Sequence, residues 1–148
     1  MKKEDVPQDY GMGGEQLEVC YAVDENGHYV LAPSLGWKAK NVTNQQAWGL
    51  IKEKIDDAIR RVKTGQLSPL AYHMAKNQMD VGLLAKYVGF YSWRVKRHLK
   101  PTVFKRLSPD ILQQYADLFD ITTAQLREYP ESADLALAEV QSYYEDKI

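Results

Sequence analysis

Seven cations, Lys86, Arg94, Lys96, Arg97, Lys100, Lys105 and Arg106, lie between Asp80 and Asp110, a stretch with no acidic residue inside it. Side chains of this type at this density can do one thing well, which is to neutralise phosphate. The chain as a whole has formal net charge -1, so the field is segregated and not a general basic bias. Residues 1–80 carry ten Lys/Arg against eleven Asp/Glu, and residues 110–148 carry two against nine. A charge run can also be a merely solvated face. This run, however, sits inside a helical pattern that gives it an outward side.

Other reactive residue types are spread too thinly to build a centre. His28, His73 and His98 have no ligand-like spacing. His98 sits on the basic stretch, where a phosphate neighbour or core-edge residue is expected. Cys20 is the only cysteine, which excludes an intrachain disulfide and a cysteine-based zinc site. A single thiol fits a reducing cytosol, so a cytoplasmic location is expected. Gly11, Gly13 and Gly14 follow no strand and precede no Lys-Ser/Thr, so they are not a phosphate loop. No constellation supports catalysis. The expectation is a non-enzyme that needs neither cofactor nor metal.

The elements that would position the basic stretch can be read in order. The expected fold class is mainly α with a small N-terminal β-hairpin. Residues 1–16 read as a flexible tail without the apolar run of a signal peptide. No stretch approaches the roughly 18 apolar residues of a membrane span. Residues 17–66 read as a hairpin plus a long helix, a possible dimerisation or accessory region. The strands are 17–23 and 28–31, joined through Asn26-Gly27, the strongest two-residue hairpin signal. Thr43 or Asn44 is the expected N-cap of the long helix. Trp48, Ile51, Ile55, Ala58, Ile59 and Val62 form its apolar stripe, and Gly65 its stop. Asp56–Arg60 and Asp57–Arg61 are its expected i,i+4 ion pairs.

Short helices follow over 67–129. Ser68-Pro69 opens the first, Asp80 caps the second and Gly89 stops it. The third runs from Ser92 to about Lys100, ahead of Pro101. Ser108-Pro109 opens the next, and Thr122-Thr123 caps a short one through Arg127. Ser132 is the expected cap of a C-terminal helix, within 130–148, with Leu137, Val140 and Tyr144 on its apolar stripe.

The run Leu84-Ala85-Lys86-Tyr87-Val88-Gly89-Phe90, then Val95 and Leu99, then Ile111-Leu112, Tyr115-Ala116, Phe119, Ile121 and Leu126, carries a resemblance. Over about residues 69–127 the chain resembles the five-helix DNA-binding domain of the lambda-repressor-like (Cro/C1/Xre-type) helix-turn-helix family. The resemblance implies a bacterial or phage-type transcriptional regulator that binds double-stranded DNA, usually as a homodimer, with Ser92–Leu99 as recognition helix. It implies DNA contacts from Ser92, Trp93, Arg94, Lys96, Arg97, Lys100, Lys105 and Arg106. Of these, Ser92, Trp93 and Lys96 would face the groove, with Arg97 close to base or phosphate. Arg94, Lys100, Lys105 and Arg106 would meet phosphates. The chain departs from the family at Asp80-Val81-Gly82, at Tyr91 and in a longer 101–107 loop. Asp80 and the acidic 110–148 region motivate an alternative: a protein-interaction module on the same fold, antitoxin-like or an anti-repressor partner.

Overall fold

Alternation of apolar and polar residues makes strands, and a turn residue with positive φ joins them. The N-terminal region obeys both rules. In the computed structural model, which describes residues 1–9 and 18–133, β1 (Glu18–Val23) pairs antiparallel with β2 (Tyr29–Ser34). The register sets Val19 opposite Pro33, Tyr21 opposite Leu31 and Val23 opposite Tyr29. The connection, expected over residues 24–27, spans 24–28, and of the Asn-Gly pair only the glycine adopts positive φ. Gly27 N–H donates to Asp24 O at 3.1 Å and Asp24 N–H donates to His28 O at 2.9 Å. Gly27 alone has positive φ, at 81°. This is a type I turn closed by a left-handed glycine, held from inside by the Asp24 carboxylate accepting from Asn26 and His28 N–H.

The first nine residues are not the loose tail expected of them. Lys2 bridges to Val23 and Gln8 to Gly36, so the segment runs along the hairpin between its two ends. Val6 is buried between Ala22 and Ala32, and Ser34 Oγ donates to Pro7 O at 2.6 Å. The remainder of that expected tail, 10–17, lies outside the described residues.

The long helix, α1 (Lys38–Lys63), begins five residues before the expected cap at Thr43. Its first turn is capped from elsewhere: Lys38 N–H donates to Asp9 Oδ2 at 2.9 Å. The chain divides into two units, residues 1–50 and 51–148, so the division falls inside α1 and not near residue 66. The apolar stripe explains this. Ile55 and Ile59 pack against Tyr72 and Ala133, and Val62 joins the main helical core. Trp48 and Leu50, farther back on α1, are exposed. Gly65 stops the helix in the left-handed region, as expected. The expected pairs on α1 are replaced: Arg60 pairs with Asp57, while Asp56 accepts from Ala133 N–H at 2.8 Å. Lys63 Nζ meets Glu131 at 2.5 Å, a second tie between α1 and residues 131–133.

The helical unit continues with α2 (Leu70–Lys76), α3 (Val81–Val88), α4 (Ser92–His98), α5 (Pro101–Phe104), α6 (Pro109–Leu118) and α7 (Thr123–Leu126). The four-residue helix α5 falls where the sequence predicts a loop, 101–107. Pro101 occupies its first turn, where the missing N–H costs nothing. Leu70, Leu84, Val95, Leu112, Tyr115 and Leu126 fill one core with Ala71, Ala85, Leu99, Phe104 and Phe119. The expected C-terminal helix falls almost wholly outside the described residues. No helix among the described residues is long and apolar enough to cross a membrane.

Candidate nucleic-acid interface

The basic stretch is presented by α3, α4 and α5, and each boundary has a local cause. Asp80 begins α3 by accepting from Leu83 N–H at 2.7 Å, so its carboxylate is engaged in capping. Gly89 ends α3 with φ 78°, a conformation that costs an L-residue roughly 1–2 kcal/mol. The chain then reverses into α4. There Val95 and Leu99, four apart, are buried in the core, as their spacing predicts.

Burying that pair leaves the other faces of α4 in water. Ser92, Lys96, Arg97 and Lys100 are exposed, and Trp93 is 63% exposed. Lys105 and Arg106, just past α5, are exposed too, as is Lys86 on α3. Among the described residues, no carboxylate lies within ion-pair distance of any of these lysines and arginines. An open depression of about 530 Å³ is lined by Trp93, Lys96, Arg97, Lys100, Thr102 and Val103. Four of the expected contact residues therefore share one concavity. Thr102 and Val103 were missed. The signal for them was Lys100-Pro101, since proline at a first helical position brings a new helix immediately after α4.

Arg94 departs from its expected role. Its guanidinium lies 4.3 Å from the Phe90 ring centroid, a cation–π contact, and the residue is only half-exposed. It braces the turn between α3 and α4 and does not stand free as Lys96 and Arg97 do.

Of its two expected places, His98 takes the one at the core and not that of a phosphate neighbour. It is buried, with Nδ1 2.8 Å from the Tyr115 hydroxyl and its ring edge-on to Phe90 and Tyr115. Burial lowers its pKa from the usual histidine value, and the Arg94 and Arg97 charges push it further down. Burial raises that of Tyr115, so the hydroxyl stays protonated. Behind the exposed cations there is thus a neutral, hydrogen-bonded aromatic cluster that fixes the tilt of α4.

Ser68 ties the other end of α4 down. It is fully buried, and its hydroxyl donates to His98 O at 3.0 Å instead of capping α2. Its N–H donates to Leu99 O at 2.8 Å. The carbonyls of His98 and Leu99, at the end of α4 where no partner remains within the helix, are satisfied from Ser68, two residues ahead of α2.

The arrangement can bind a polyanion through point charges and offer one large aromatic surface beside them. Comparison with known proteins adds nothing to this geometry: no family model, no curated protein and no solved structure matches the chain.

Proposed function

We propose that the chain is a sequence-specific DNA-binding protein, a bacterial or phage-type transcriptional regulator that lays α4 in a major groove. One observation carries the reading. Helix α4 buries Val95 and Leu99 while holding Trp93, Lys96, Arg97 and Lys100 outward, with no carboxylate among the described residues paired to them. Ser92, Trp93 and Lys96 face base edges, and a lysine or arginine on guanine supplies roughly 1–3 kcal/mol of discrimination. Lys100, Lys105 and Arg106 hold phosphates and set the register without reading sequence. Arg97 serves either surface. Arg94, through Phe90, positions the helix.

A second reading, a protein-interaction module on the same fold, has one observation in its favour. Leu83, Tyr87, Tyr91 and Trp93 are all exposed on or beside α3 and α4, more apolar surface than phosphate contacts need. A gel shift with random duplex separates the two. Wild type binds at low salt, and Lys96→Glu with Arg97→Glu abolishes the shift while the far-ultraviolet spectrum stays unchanged. Equal behaviour of the two proteins refutes the DNA reading and favours the interaction module.

A further inference from the structure

A hairpin has two faces, and among the described residues only one of them is packed. On the inner face, Ala22, Ala32 and Ser34 are buried, and Val6 packs there with Cys20 and Val30 at its side. The residues between them in sequence form the outer face: Val19, Tyr21 and Val23 on β1, facing Pro33, Leu31 and Tyr29 on β2. Tyr21 is 77% exposed, Tyr29 81%, Val19 67% and Leu31 62%. Pro33 is exposed and Val23 half-buried.

A wet face of an antiparallel sheet ordinarily alternates to polar residues. Here no position on it is charged, and the paired residues are large. At roughly 200 Å² for a whole tyrosine side chain, Tyr21 and Tyr29 alone offer about 300 Å² of surface. With Val19, Leu31 and Pro33 the patch reaches about 500–600 Å², at the upper end of what a monomer commonly exposes.

We infer that this face is covered by the same face of a second copy of the chain. The area is the first argument: two such patches together remove about 1,000–1,200 Å² from water, the lower bound of a specific interface. The chemistry is the second. A twofold contact sets each residue against the same patch, so any charge on it would meet its like or be buried unpaired. This patch carries none. The charged groups sit at its margins, with Glu18 paired to Lys40 at 2.5 Å at one end and Asp24 beside His28 at the turn. Pairing also closes a gap in stability, because a two-stranded hairpin is marginal when one face stays wet.

The inference does not rest on DNA binding, and its test contains no nucleic acid. Sedimentation of the full chain across micromolar concentrations reads its mass. The expected result is reversible association to twice the chain's mass. Tyr21→Lys with Leu31→Glu replaces one cross-strand pair by an opposite-charge pair, which keeps the hairpin register while making the face polar. This double variant weakens self-association by at least about thirty-fold, the effect of losing a central interface anchor. Tyr29→Ser, a milder change, weakens it in the same direction. A wild-type chain that stays monomeric throughout overturns the inference, whatever other protein the face binds. So does a double variant that associates as tightly as wild type.

Discussion

Lowering the pH from 7 to 5 destabilises the helical unit through His73, and Gln at this position removes that loss. His73 is buried in α2, stacked on Phe119 with ring centroids 5.9 Å apart. Its Nε2 lies 3.1 Å from Glu128 O, and a carbonyl can only accept, so Nε2 carries a proton; burial keeps the other ring nitrogen unprotonated at pH 7. Burial is the main cause that lowers its pKa from 6.5 to about 4; Lys76 adds to it, and the backbone carbonyls only partly oppose it. Below pH 6.5 the unfolded chain therefore takes up a proton that the folded chain refuses until about pH 4. Stability is full above the unfolded value and falls as pH drops through this window. At 1.36 kcal/mol per unit of pKa difference, the step from pH 7 to 5 costs about 2 kcal/mol. For a unit of this size that lowers the melting temperature by roughly 8–15 °C. Urea titrations of wild type and His73→Gln at both pH values, followed by circular dichroism, measure the difference. His98 titrates in the same direction, so the variant retains part of the slope. If both proteins lose stability in parallel, His73 is not the buried neutral group described here.

Other perturbations follow from single contacts. Ser68→Ala leaves the buried His98 carbonyl without its hydroxyl partner and destabilises by roughly 1–3 kcal/mol in chemical denaturation. Asp80→Ala removes the side-chain acceptor for Leu83 N–H and costs about 1 kcal/mol, whereas Asp80→Asn costs much less; equal losses would show that charge and not capping is at work. Leu84→Ala empties a fully buried position in the main core and costs roughly 2–5 kcal/mol. Gly89→Val puts a β-branched residue at φ 78°, and a melting temperature equal to wild type would disprove the strained turn between α3 and α4.

What the sequence made legible was local. Asp80, Gly89 and the four-residue spacing of Val95 and Leu99 each act within one helical turn, so α3, α4 and the outward cations were readable from neighbours alone. The Thr122 cap belongs to the same class, and Gln125 completes it as a capping box. What escaped was long-range or depended on which side chain won a competition. Asp9 caps α1 from 29 residues away, and Ser68 reaches a carbonyl 30 residues on. No periodicity carries either. Arg94 could extend to solvent or fold onto Phe90, and in the structure it lies over the ring. His98 was legible only as one of two places, at phosphate or at the core edge, and the helix phase set by Val95 and Leu99 turns it inward to Tyr115. The hairpin connection is one residue longer than its expected 24–27, because the register pairs Val23 with Tyr29, and within Asn26-Gly27 only the glycine adopts positive φ.

DNA binding through this face depends on Arg97, Lys100, Lys105 and Arg106 meeting phosphates as one surface. The salt dependence of duplex binding measures this most directly. Each phosphate neutralised contributes about -0.9 to the slope of log affinity against log salt, so these cations give roughly -3 to -4 for each protomer bound. Lys100→Gln should make that slope shallower by about one while leaving sequence preference intact. A near-flat slope, or one that Lys100→Gln does not change, would contradict the claim that this face is where the protein holds DNA.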